Sequence, residues 1–198
     1  MTNKTLEFYF DVGSPTTYLA WTQMSRIQAA TGAQIDRKPL LLGGVFKATG
    51  NGSPALVPAK AMHMITDLQR FARRYQVPFN YNPHFPIDTL QLMRMIVAVQ
   101  MHQPDRFMGF TDLIFRGMWI DQLNLGKAEV VADMLVKAGF NPEEIFAMST
   151  NQAVKDQLKA NTEEAIKRGA FGAPTFFVGE EMFFGQDRLD FVLDALST

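Results

Sequence analysis

Between Leu6 and Phe10 apolar side chains fall on every second residue, with Glu7 and Tyr9 between them, which is the period of a half-buried strand. Ser14-Pro15 follows, a hydroxyl suited to cap a helix and then a proline suited to its first turn. Ala20, Met24 and Ile27 keep the i, i+4, i+7 spacing of one buried helix face, and Gly32 supplies a stop. One helix is therefore predicted from Ser14-Pro15 to Gly32. Ala33 to Leu42 reads as a second strand. Strand, helix and strand within about forty residues make a βαβ unit, with parallel strands and a right-handed crossover.

The pattern then changes. "GGVFKATGNGSPALVPAK", residues 43–60, reads as a long loop rich in Gly, Pro and Asn. From Lys60 to Gly169 only helical periods appear. Helices are predicted over Lys60 to Tyr75, Thr89 to Met101, Asp105 to Ile120 and Lys127 to Lys137. A short one is opened by Asn141-Pro142, and a longer one is capped by Asn151 and ends at Gly169. Strand character returns in "APTFFVGEEMFFG", with strands over Thr175 to Val178 and Met182 to Phe184 and a turn at Gly179-Glu180. A last helix is predicted from Asp187 to Leu196. The order is βαβ, helices, then ββα. It predicts an α/β domain assembled from residues 1–45 and 165–198, with a helical insertion over 46–164.

Composition narrows the possible chemistry. Apolar residues make up 47% of the 198, enough for a packed core. A net charge of -1 argues against a polyanion such as nucleic acid as partner. The chain has no cysteine, so it has no disulfide, no thiolate metal site and no cysteine nucleophile. Its three histidines, His63, His84 and His102, lack metal-ligand spacing, so no metal is expected. "MTNKTLEFYF" has no apolar leader core, and no apolar run approaches the ~20 residues of a membrane span. A soluble cytoplasmic protein is expected, with no membrane partner. Phosphate-binding glycine loops and the G-x-S-x-G elbow are missing, so nucleotide and α/β-hydrolase chemistry lack support.

"FDVGSPTTYLA", "LLGGVFKATGN", "PAK", "FGAPTFFV" and "FFGQDRLD" stand in one order and spacing along the chain. In this the chain resembles the 2-hydroxychromene-2-carboxylate isomerases and the kappa-class glutathione transferases, which share a DsbA-like thioredoxin fold. The resemblance covers essentially the whole chain. It implies a cis proline, Pro174, opening the hairpin, with the backbone of Ala173 left to pair with an extended peptide ligand. It implies glutathione as cofactor, so that the thiol missing from the chain is borrowed. Taken alone, Ser14 is a helix cap; the resemblance makes it the hydrogen-bond donor to the glutathione thiolate.

Further roles follow from the same resemblance. Gly185, Gln186, Asp187 and Arg188 would take the γ-glutamyl end at a helix start, with Asp187 either accepting the ammonium, capping the helix, or both. Lys60 would pair with the glycyl carboxylate and Asn51 would bond nearby. Phe46 and Lys47 fall on the substrate side, where a lysine suits a carboxylate, and His84 in the loop "NPHFPID" is a candidate acid/base group. His63 and Asp88 stand where the family often carries Tyr and Asn. The implied reaction is isomerisation of an aromatic or unsaturated carboxylate by reversible thiolate addition, in a homodimer. Two alternatives stay open: glutathione transfer or peroxide reduction of the kappa type, and a binding module without catalysis.

Overall fold

The computed structural model describes residues 4–197; the start of the N-terminal stretch read above as lacking a leader lies outside them. Four strands, β1 (Thr5–Phe10), β2 (Gln34–Pro39), β3 (Thr175–Val178) and β4 (Glu181–Phe184), form one sheet in the order β2-β1-β3-β4. β1 pairs parallel with β2 and antiparallel with β3, and β4 pairs antiparallel with β3. The parallel pair is the βαβ unit, and the antiparallel pair is the terminal hairpin.

The first crossover is two helices, α1 (Pro15–Trp21) and α2 (Met24–Thr31), where one was predicted. The Thr22 hydroxyl donates to Leu19 O at 2.6 Å and Gln23 N–H to Ala20 O at 2.9 Å, so local bonds replace the helical ladder for one step. The expected loop over 43–60 is also corrected, because its first part is a helix, α3 (Leu42–Thr49). Gly43 and Gly44 lower the helix propensity there, and packing overrides it. A Cβ on Gly44 would stand 3.3 Å from Thr162 Cγ2, so the glycine lets α3 press onto a later helix. Predicted strand residues beyond Pro39 belong to this turn and helix, because Leu41 caps α3.

Six helices lie between α3 and β3: α4 (Pro58–Tyr75), α5 (Leu90–His102), α6 (Phe107–Trp119), α7 (Ala128–Lys137), α8 (Pro142–Ser149) and α9 (Gln152–Lys167). Their starts follow the cap chemistry read from sequence: Asn141 Oδ1 accepts from Glu143 and Glu144 N–H, and Asn151 Oδ1 from Ala153 N–H. The predicted Asp105 to Ile120 helix opens instead as a 3-10 turn, Pro104–Arg106. α10 (Leu189–Ser197) closes the chain after a 3-10 turn at Gln186–Arg188. No helix among the described residues is long and apolar enough to cross a membrane.

Both faces of the sheet are covered. Leu6, Phe8, Phe10 and Phe176 face the larger core with Trp21, Phe115 and Trp119, and Phe8 stacks on Phe176 at 4.9 Å. Tyr9 and Phe177 face the other way, against Leu40, Val45, Ala165 and Ala173. The Glu7–Tyr9 face, read from sequence as polar, is thus an interior one. Tyr9 is fully buried, and Glu7 is held by Lys38 at 2.7 Å and Arg168 at 2.8 Å. Burial alone would raise the Glu7 pKa, but the hydrogen bonds from Lys38 and Arg168 outweigh it and hold the carboxyl below its ordinary value. The unfolded chain therefore binds the Glu7 proton more tightly, and the stabilisation exists above the ordinary glutamate pKa and is lost as pH falls through the lowered one. Glu7→Gln should lower stability by about 1 kcal/mol near neutrality, allowing for partial solvent screening. The difference from wild type should close in acid. Denaturation of both proteins across pH checks this; a gap that persists in acid contradicts it.

Candidate functional site

β1 runs out into Asp11-Val12-Gly13, and the chain turns into α1 at Ser14. Two distant groups hold this turn: Trp119 Nε1–H on α6 donates to Val12 O at 2.8 Å, and Val12 N–H points at Met93 Sδ on α5. Beneath it lies Asp11, fully buried. Its Oδ1 accepts from Gly13 N–H at 2.8 Å, and its Oδ2 from Leu42 N–H at 2.8 Å and the Thr89 hydroxyl at 3.0 Å. One carboxylate thus ties the β1–α1 turn to the first residue of α3 and to the cap of α5. Burial raises its pKa, and the bonds from Leu42, Gly13 and Thr89 oppose that rise.

Ser14 caps α1. Its Oγ accepts Thr17 N–H at 3.1 Å and donates to Ala173 O at 2.9 Å; the side chain is buried, with 5% of the residue exposed. The Ala173–Pro174 peptide is cis, as expected at the hairpin start. Thr16 Oγ1 completes a triangle, 2.9 Å from Ser14 Oγ and 3.3 Å from Ala173 O. Two hydroxyl protons thus share one carbonyl, and either can satisfy it. Ala173 N–H donates to nothing among the described residues, so the backbone at this position keeps a donor for an extended partner. These features meet what a peptide-like thiol needs: a helix N-terminus, a hydroxyl donor and a spare backbone N–H.

Gly185 N–H donates to Pro174 O at 3.0 Å, bringing the "GQDR" turn against the cis proline. Gly185 sits at φ 99°, a backbone conformation that strains any L side chain, so the turn calls for glycine. Gln186 is buried and its carbonyl accepts from the Tyr75 hydroxyl of α4 at 2.6 Å. Burial pushes Tyr75 up to about 12, which keeps it a donor. Among the described residues the Asp187 carboxylate pairs with Arg188 at 3.0 Å. α1 packs against both α4 and this turn. Asn51 Nδ2 donates to Phe171 O at 2.8 Å, which fixes it beside the loop leading into Ala173.

The other sequence candidates are less closely tied. Lys60 is exposed in the first turn of α4. Phe46, half-buried, and Lys47, exposed, lie on α3 rather than in a loop. Asp11 connects that helix's first residue to the Ser14 turn, but no bond joins Phe46 or Lys47 to Ser14. His84 is exposed, with its backbone N–H on Asn82 Oδ1, and His63 is exposed on α4. Asp88 is exposed, and its Oδ1 accepts Leu90 N–H at 2.9 Å at the entrance to α5. Among the described residues no three His, Cys, Asp or Glu side chains gather as a metal site. Sequence reasoning missed Asp11, Thr16, Tyr75 and Thr89. The first two lie inside the quoted "FDVGSPTT", and their role shows only once Leu42, Thr89 and Ala173 arrive from elsewhere in the chain.

Comparisons with known proteins bear on the family and the fold. A family profile, the DSBA-like thioredoxin domain, matches residues 5–197. Glutathione S-transferase kappa 1 of Homo sapiens is 28% identical, over 98% of this chain and 91% of its own length. Glutathione S-transferase kappa 2 of Caenorhabditis elegans is 31% identical over 98% and 92%. The 2-hydroxychromene-2-carboxylate isomerase of Sphingobium xenophagum is 29% identical over 96% of both chains. A solved 2-hydroxychromene-2-carboxylate isomerase superposes with a TM-score of 0.84 at 25% identity, covering 97% of this chain and 94% of the other. A profile over almost every residue, relatives aligned end to end and a solved structure that superposes over nearly the whole chain leave one assignment. The chain belongs to the DsbA-like thioredoxin family, in the group formed by the 2-hydroxychromene-2-carboxylate isomerases and the kappa-class glutathione transferases.

Proposed function

We propose that this chain is a glutathione-dependent isomerase of the 2-hydroxychromene-2-carboxylate isomerase type, acting on aromatic or unsaturated carboxylates. The observation that carries the reading is the Ser14 hydroxyl, set in the first turn of α1 and 2.9 Å from the carbonyl before the cis proline, in a chain with no thiol of its own. Glutathione, when bound, supplies a thiolate nucleophile for reversible addition to a carbon conjugated with a carbonyl.

The chain's own residues hold and activate it. Ala173 offers N–H and C=O to a peptide backbone, Asn51 bonds beside it, and Lys60 receives the glycyl carboxylate. Gly185, Gln186, Asp187 and Arg188 take the γ-glutamyl end. Ser14 turns its proton from Ala173 O toward the sulfur, and Thr16 takes over the carbonyl, so the exchange leaves no buried acceptor unpaired. The helix N-terminus adds ~0.3–1 kcal/mol in favour of an anion. A hydrogen bond to a charged group adds ~1.5–3 kcal/mol. At ~1.4 kcal/mol per unit these together lower a thiol pKa by about one to three units, enough to make the anion abundant near neutrality. Phe46 and Lys47 would meet the carboxylate substrate, with His84 as a further contact.

Calorimetry with glutathione tests the reading directly. Saturable uptake is expected, weakened several-fold by Lys60→Ala, since a surface ion pair is worth up to ~1 kcal/mol. No uptake by the wild-type chain refutes it. The kappa relatives, as similar as the isomerases, favour a second reading, transfer of glutathione to an electrophile. Counting free thiol during turnover separates the two: isomerisation leaves the total unchanged and conjugation depletes it.

A further inference from the structure

A cleft of about 710 Å³ opens beside α1 and α6, and Ser14, Thr16, Ala173 and Pro174 take no part in its lining. Its volume is in the range of small-molecule sites. Its walls are aromatic, with Tyr18, Trp21, Phe115 and Phe140 among them, and its charged groups include Arg37 and Arg106. The break between α1 and α2 at Thr22 helps to shape it, because Trp21, Thr22 and Ser25 all line it.

Arg37 is the anomaly. In β2 the residues facing the larger core are Ile35, Arg37 and Pro39, in register with Leu6, Phe8 and Phe10. An apolar residue is expected at 37, since Phe8 beside it is fully buried in the core. The guanidinium instead lies over the Trp21 ring at 5.3 Å. Its Nε is buried with no hydrogen-bond partner among the described residues, and Nη1 has only a long 3.4 Å approach to Ile35 O. Lys38, one residue on, has Glu7 and Glu164 on the opposite face; Arg37 has no ion-pair partner among the described residues. The carboxylate nearest to acting on it, Asp112, already accepts Trp21 Nε1–H on Oδ1 at 2.6 Å. Burial pushes the guanidinium's pKa down, which marks the desolvation that an anion would relieve. Arg106 lies over Phe140 at 3.9 Å, with Nη2 on Gly139 O, and adds a second cation to the same cleft.

We infer that this cleft is a second ligand site, separate from the Ser14 site, that takes a flat aromatic molecule carrying one carboxylate or sulfonate, with the anion on Arg37 and the ring against Leu113 and Phe140, beside Trp21. The Nη edge of a planar guanidinium, which here holds only the long bond to Ile35 O, suits a two-oxygen anion. The half-buried Leu113, Ile120 and Phe140 supply apolar area for the ring. The site does not depend on glutathione.

Naphthalene-2-carboxylate is the probe, with naphthalen-2-ylmethanol as its neutral counterpart. The chain has two tryptophans, Trp21 in the cleft and Trp119 buried elsewhere. Their indole N–H signals therefore report the location by NMR, once assigned with Trp21→Phe. The carboxylate is expected to shift the Trp21 signal and leave Trp119 in place, to bind equally in saturating glutathione, and to bind roughly tenfold or more tighter than the alcohol. Arg37→Met keeps a stem over Trp21 and should weaken the carboxylate by a similar factor while leaving the alcohol unchanged. Equal affinity for acid and alcohol overturns the proposal, and that comparison needs no variant. So does a carboxylate that leaves the Trp21 signal unmoved and loses affinity with Lys47→Ala, which would place it in the proposed substrate site instead.

Discussion

Ser14→Ala is expected to raise the thiol pKa of bound glutathione by about one to two units and to slow turnover roughly tenfold or more. The hydroxyl is the donor nearest the start of α1 and the side chain that reaches Ala173 O most closely. Alanine removes the donor and the cap together, so about 1 kcal/mol of stability should be lost as well. The two effects are separable. Thiolate absorbance in the ultraviolet, followed against pH in the glutathione complex, reports the first on folded protein; chemical denaturation without glutathione reports the second. Ser14→Thr, which keeps a hydroxyl, should recover part of the pKa shift. Identical titration curves for wild type and Ser14→Ala would remove Ser14 from the chemistry and leave it a cap.

Asp11→Asn should cost about 2–4 kcal/mol of stability, although it removes only one charge and almost no volume. The partners are Gly13 N–H on Oδ1, and Leu42 N–H and the Thr89 hydroxyl on Oδ2. An amide has one acceptor oxygen. Whichever way Asn is placed, its NH₂ faces a backbone N–H, and a buried donor is left without an acceptor. The damage should spread, since this one side chain joins the turn before Ser14, the start of α3 and the cap of α5. Denaturant unfolding checks the loss, and amide exchange at Gly13 and Leu42 checks its location. A change under about 0.5 kcal/mol would mean that the three bonds are dispensable.

How much of this was legible in the sequence varies from element to element. Strand β3 was predicted at its observed bounds, because proline at one side and glycine at the other leave a four-residue run of strand-forming residues no other length. The caps of α1, α8 and α9 were equally plain, since each depends on one side chain and the two or three residues after it. Helix α3 was hidden. Its two glycines argue for a loop, and only Thr162, over a hundred residues away, explains why a helix with a bare face is wanted there. The break at Thr22 was hidden too, because the apolar spacing runs straight through it. Within the site, Ser14, Pro174 and Gly185 could be named from local motifs and are bonded into one group, whereas Phe46 and Lys47 lie on α3, a helix that the sequence concealed.

What the chain alone determined is whatever short-range chemistry dictates: the strand periods, the capped helix starts, the lack of a thiol and the motif order that carries the family. What the tertiary structure decided is everything that needs partners distant along the chain. It put Ala173 against Ser14 and Thr16, turned the Glu7 face inward, buried Asp11 under three donors and left Arg37 on the core side of β2 with its Nε unpaired among the described residues. A side chain's period says which way it points, but the cost of burying its charge depends on what folding brings to meet it.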